Sequence, residues 1–182
     1  MLASSSPQRK RLLEALGVPF TIRPGRVAEL EQGEDPAAVA LENALRKARA
    51  ARRGGVPEAI IGCDTIVALD GVIYGKPPDA AAARRTTAAL AGRTHEVLSG
   101  LAVLLPGEER TTVVRTEVTF RPLDDDALDR YVSTGEWRGR SGGYAIQGAG
   151  AQLAVRIEGE EENVVGLPLG ALRALCPELL AG

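Results

Sequence analysis

The groups in this sequence best suited to chemistry are one carboxylate, Asp64, and a set of cations, Arg9, Lys47 and Lys76. Asp64 closes the apolar run "AIIGC", and the C-terminal end of a buried strand is where open α/β sheets place working groups. On position alone it could also cap a turn or pair with an arginine. The stretch "SSSPQR", residues 4–9, offers hydroxyls, the free N–H groups of a helix N-terminus and the charge of Arg9, with Lys10 beside it. Such a set can cradle a phosphate through hydrogen bonds and the helix dipole, although an ordinary capped helix with a solvated basic face has the same residues. No GxxxxGK[ST] occurs, so this is not a Walker loop.

Of the 22 cationic residues only Lys10, Lys47 and Lys76 are lysines. A chain so biased toward arginine should lose lysine wherever either charge will do, which singles out the surviving lysines for attention. Lys76 follows Gly75, which lets the backbone approach a ligand, and precedes Pro77, which stiffens the exit. Lys47 sits on an alanine- and arginine-rich helix where it could simply be solvated. Glu29 is one of four acids in "RVAELEQGEDP" and composition does not single it out. His95 is the sole histidine, and Cys63 and Cys176 are far apart, which argues against a histidine metal cluster, a Ser-His-Asp triad or a disulfide framework. The cysteines read as small buried hydrophobes. What remains, a helix N-terminus, cations and one carboxylate, suits phosphoryl or phosphate-ester chemistry with a divalent metal and a general base.

These groups need elements to hold them. Ser6-Pro7 starts a helix that ends at Gly17, and Asp35-Pro36 starts a second that Gly54 closes. "VPFTI" is a short strand. "EAIIGCDTIVALDGVIYGKP" reads as an apolar strand, an acid, a second strand and an Asp70-Gly71 turn into a third. A helix over about 79 to 91 follows, then two long strands joined by "GEER", a short helix at "DDDALDRYVSTGE", the glycine-rich "GRSGGYAIQG", a strand at "AQLAVRIEG" and a final helix at "GLPLGALRALCPELL". The expected fold class is α/β: a long mixed β-sheet flanked by helices, with two lobes and a cleft, formed as a single unit over residues 1–182.

The charge of −2 supplies no overall basic field for nucleic acid, and "RKARAARR" reads as a solvated helix face. No apolar run is long enough to span a bilayer and no secretory signal opens the chain, so neither membrane nor nucleic acid is an expected partner and a cytoplasmic address is expected. Only Met1 precedes "LASSS", so the first strand is short and an upstream start could lengthen it.

The segments "LASSSPQRKRLL", "ENALRKA", "IIGCDTIV", "YGKP", "GRTHEVLSG", "GGYAIQGAGA" and "NVVGLPL" together resemble the Maf family of nucleoside triphosphate pyrophosphatases, in family order and nearly end to end. That resemblance implies hydrolysis of the bond between the α- and β-phosphates of a nucleoside triphosphate, with Mg²⁺ or Mn²⁺. It implies Asp64 as proton acceptor, Ser6, Arg9, Lys47 and Lys76 around the triphosphate, and Glu29 with Asp64 near the metal. Thr65 and Gln147 resemble the subgroup acting on dTTP and UTP. Gln147 carries the donor and acceptor that the O4 and N3–H edge of thymine or uracil demands, and the glycines around it would let backbone amides approach a base. Gln8 stands where that subgroup usually has arginine, and Arg140 where lysine is usual. A homodimer is a further implication. Two other readings are a nucleotide-binding regulator of cell division without turnover, because family members are linked to septum inhibition, and a nucleic-acid-binding domain.

Overall fold

The computed structural model describes residues 1–52 and 59–179. Five strands, β1 (Ile60–Leu69), β2 (Val72–Tyr74), β3 (Thr94–Leu105), β4 (Glu108–Phe120) and β5 (Ala154–Glu158), form one sheet in the order β2-β1-β3-β4-β5. Every neighbouring pair is antiparallel. The parallel part of the mixed sheet is confined to two bridges from Leu2, to Ile22 and to Ile61. The helices are α1 (Pro7–Glu14), α2 (Pro36–Ala51), α3 (Ala80–Leu90), α4 (Asp125–Ser133), α5 (Glu161–Val165) and α6 (Leu169–Leu175).

Side-chain caps set the starts of the first four helices. Ser6 Oγ accepts from Arg9 N, Asp35 from Ala37 N, Asp79 from Ala82 N and Asp124 from Ala127 N. Each satisfies one of the N–H groups a helix leaves unpaired at its start. α2 ends at Ala51, where Arg52 turns extended. Gly54, the expected stop, lies outside the described residues, as does Leu180 at the end of the final segment.

Three expectations change in detail. "VPFTI" contributes only the Ile22 bridge rather than a strand. β1 does not stop at Asp64 but runs through it, with Asp64 paired to Gly100 and Thr65 to Ser99. The final helix does not begin at Gly166: α6 starts only after Pro168, and an unexpected five-residue α5 ends just before Gly166.

Strand alternation divides the sheet into two faces. On one, α2 lays Ala40, Ala44 and Ala48 against Ile60, Ala68, Leu98, Ala102 and Leu104. The helix lies so close that a Cβ on Gly62 or Gly100 would collide with the Ala44 or Ala40 carbonyl. Glycine is therefore required there for packing. The other face carries two apolar clusters, one joining Val67, Val97 and Phe120 to Tyr131 and Trp137, the other joining Ile61, Cys63 and Leu101 to Leu13 and Leu172. Between them runs a polar stripe, in which Thr65 Oγ1 and Ser99 Oγ lie 2.7 Å apart and Asn163 Nδ2 donates to Thr116 Oγ1 at 3.1 Å.

The stripe meets the outer side of β1 at an interruption. On β1, β2 pairs only with Val67–Leu69 and Leu2 bridges only to Ile61, so among the described residues the stretch of this edge between them has no strand beside it. Successive side chains on opposite faces, Asp64 and Thr65, can both reach the opening this leaves. No helix among the described residues is long and apolar enough to cross a membrane.

Candidate active site

The opening is a cleft of about 560 Å³, within the size range of small-molecule sites. Its walls come from residues 3–9, 24–26, 139–141 and 164–166, together with Glu29, Lys47, Asp64, Thr65, Val67, Lys76, Val97 and Tyr144.

Asp64 is buried in its floor, and α2 grips both oxygens of its carboxylate. Lys47 Nζ donates to Oδ1 at 2.6 Å and Asn43 Nδ2 to Oδ2 at 2.9 Å. The two donors sit one helical turn apart, and the glycine contacts described above bring that turn within reach. Lys47 Nζ also lies 2.7 Å from Glu29 Oε1, and Lys76 Nζ lies 3.2 Å from Glu29 Oε2. An alternating chain of charges results: Asp64, Lys47, Glu29, Lys76. Partial burial raises the Glu29 pKa, but the hydrogen bond and charge of Lys47, joined by Lys76, outweigh it and hold the group at about 2. Lys47 retains one N–H after these two contacts, because an ammonium has three.

Arg9 projects from the first turn of α1 into the opposite wall. Its Nε donates to Gly166 O at 2.8 Å, its Nη1 to Ser4 Oγ at 3.3 Å and its Nη2 to Thr65 Oγ1 at 3.2 Å. Ser6 lines the cleft as the α1 cap, and the Gln8 amide nitrogen donates to its Oγ at 3.0 Å. The Gln8 carbonyl accepts from Arg140 Nη1 and Nη2, each at 3.2 Å. The two positions that depart from the family pattern thus touch each other across the cleft.

The glycine-rich stretch approaches protein. Gly142, at φ 68°, donates its N–H to Gly75 O at 3.1 Å, and a Cβ there would come 2.7 Å from Val67 Cγ2. Ser141 Oγ ties the stretch to β1 through Thr65 O at 2.9 Å. Tyr144 is buried at the cleft wall with its hydroxyl 2.9 Å from His95 Nε2 and its ring edge-on to Phe120. Gln147 is exposed and is not among the lining residues. Of the residues singled out from the sequence, Ser6, Gln8, Arg9, Glu29, Lys47, Asp64, Thr65 and Lys76 therefore meet in one cleft, and Gln147 lies outside its lining.

Sequence reasoning passed over Arg26, which lines the cleft, and Asn43. For Asn43 the signal was its position four residues before Lys47 in "ENALRKA", on the same helix face. The run "RKARAARR" is largely committed elsewhere: Arg46 pairs with Glu42 and Arg49 with Glu109, and Lys47 turns into the cleft. Both cysteines are buried and free.

Among the described residues no three His, Cys, Asp or Glu side chains group as a metal cage. Glu29 and Asp64 nonetheless fit a Mg²⁺ or Mn²⁺ ion that arrives with a phosphate substrate, because such ions take one or two carboxylates and fill the rest of their shell with phosphate oxygens and water. Each of the four carboxylate oxygens has one protein donor, which leaves lone pairs free.

The profile of Maf-like proteins matches residues 1–179. Relatives named dTTP/UTP pyrophosphatase include one from Moorella thermoacetica, 48% identical over 93% of this chain and 89% of its own length. Others are from Deinococcus radiodurans, 42% identical over 100% of this chain and 91% of its own, and from Oleidesulfovibrio alaskensis, 45% identical over 94% and 81%. By the match along its length and by the identity to these relatives, the chain belongs to the Maf family.

Proposed function

We propose that this protein is a nucleoside triphosphate pyrophosphatase that hydrolyses dTTP and UTP, and related pyrimidine triphosphates, to the monophosphate and pyrophosphate. The observation that carries the reading is a buried carboxylate, Asp64, at the floor of a cleft walled by Arg9, Lys47 and Lys76, in a chain whose relatives bear that name. Asp64 accepts a proton from a water that attacks the α-phosphorus. As that P–O bond forms, the bond from the α-phosphorus to the oxygen bridging to the β-phosphate breaks, and pyrophosphate leaves with its charge held by the cations. Lys47, Lys76 and Arg9 hold the triphosphate, with Ser6 and the α1 N-terminus donating to its oxygens. Because both lysines are engaged by Glu29, an incoming triphosphate competes with that carboxylate for them. A Mg²⁺ or Mn²⁺ ion held by Glu29 and Asp64 would neutralise phosphate charge and polarise the reacting phosphoryl group. Gln8 and Thr65 face the substrate from the lining, whereas Gln147 contributes to base selection only in a conformation that turns it into the cleft.

The test is a panel of natural and modified triphosphates with Mg²⁺ or Mn²⁺, scored for pyrophosphate and monophosphate. Equimolar products are expected, with dTTP and UTP preferred, and Asp64→Asn should lower kcat by about 10² to 10⁴. Release of orthophosphate alone would overturn the reaction assigned. Saturable nucleotide binding with no metal-dependent turnover would favour the regulator instead.

A further inference from the structure

We infer that Asn43 is a positioning residue, which fixes the orientation of the Asp64 carboxylate and pins the Glu29 loop to the same helix; the inference rests on the pyrophosphatase reading above. Asn43 is 1% exposed, and its amide is almost fully committed. One Nδ2 hydrogen goes to Asp64 Oδ2 at 2.9 Å and the other to Leu30 O at 3.0 Å, while Oδ1 accepts from Leu30 N at 2.7 Å. Both backbone groups of the residue after Glu29 are thus stapled to the side chain that also holds the proposed base.

The chemistry of the amide explains the residue type. The site needs two donors and one acceptor in a plane, which a carboxamide supplies and a carboxylate, hydroxyl or aliphatic group does not. Lys47 fixes Oδ1, so without Asn43 the carboxylate is held at one oxygen only and can rotate about that contact. Proton transfer and in-line attack depend steeply on such placement. Loss of the staple also frees Leu30, and with it the carboxylate of Glu29 that reaches Lys47 and Lys76.

The experiment compares wild type, Asn43→Ala and Asn43→Asp, each also built on Asp64→Asn, in steady-state pyrophosphate release from dTTP or UTP. Asn43→Asp keeps an acceptor for Leu30 N–H and nearly the same volume but sets a second acid against Asp64, so urea unfolding of both variants checks that each is folded before its kinetics are read. Both single variants should lower kcat by about 10- to 100-fold, with KM changed less than about threefold because the triphosphate cations are intact. On the Asp64→Asn background the further loss should be several-fold smaller than on wild type, since only the Glu29 loop is then left for Asn43 to hold. Independently of activity, amide exchange at Leu30 should accelerate in Asn43→Ala. A folded variant with wild-type kcat, the same fold-loss on both backgrounds, or unchanged Leu30 exchange would overturn the inference. Absence of turnover in the wild type would instead overturn the functional reading, while the exchange result would still decide the staple.

Discussion

A single ammonium, Lys47 Nζ, lies within 2.7 Å of two carboxylates. Its side chain and that of Asp64 are 10% and 7% exposed, so their charges are poorly screened. Removing the cation strands a buried negative charge beside a second one, whereas removing the Asp64 charge leaves Lys47 still paired with Glu29. Lys47→Met should therefore destabilise the fold by about 3 kcal/mol, and Asp64→Asn should shift stability by less than about 1 kcal/mol. Urea midpoints for the two variants check this asymmetry, and equal midpoints would refute it. The same Asp64→Asn variant should be the poorer catalyst relative to its stability, as expected where a functional group is held at some expense to the fold.

At the scale of elements, the close seat of α2 on β1 and β3 brings Asn43 and Lys47 to Asp64. Gly100→Ala forces a methyl against the Ala40 carbonyl, so α2 must lift. About 1–3 kcal/mol of destabilisation is expected, with a fall in kcat, because both grips on the carboxylate ride on that helix. Gly75→Ala is the matched control, since a methyl there meets nothing within 4 Å, and thermal unfolding should leave it near wild type. The helices were legible because their signals are local: Ser6-Pro7 and Asp35-Pro36 cap and open, and the structure uses both. Asp64 was legible as a residue but not as a position. An acid after "IIGC" looks like a strand end, and only the pairing with Gly100 shows β1 continuing through it. The glycine-rich stretch was readable as a tight backbone approach, but whether its neighbour is a base or Val67 is a long-range fact that local sequence does not carry. Asn43 was hidden for a similar reason, because its meaning depends on Leu30 and Asp64, residues 13 and 21 positions away.

For the whole molecule, the buried His95 makes acid stability a global property. Burial lowers its pKa from 6.5 to about 4, so the folded protein keeps the ring neutral where the unfolded chain protonates it. The unfolded state binds more protons between those values. The His95 contribution is thus fully present above about pH 6.5 and is lost as pH falls toward 4, by up to about 3 kcal/mol. Urea unfolding of wild type and His95→Gln from pH 8 to pH 4 should show a steeper decline for wild type, and parallel curves would contradict the assignment.

Arg9 and Gly166, joined by a 2.8 Å hydrogen bond, stand 157 residues apart in the chain. During synthesis the amino-terminal wall of the cleft is made first and waits for its anchor until α5 has left the ribosome. A nascent chain, or a fragment cut before Gly166, has Asp64 and the lysines but leaves Arg9 only its two longer contacts, to Ser4 and Thr65. With that side chain less firmly held, a fragment ending at residue 165 is expected to release pyrophosphate from dTTP or UTP more slowly than the full chain, and an equal rate would contradict this.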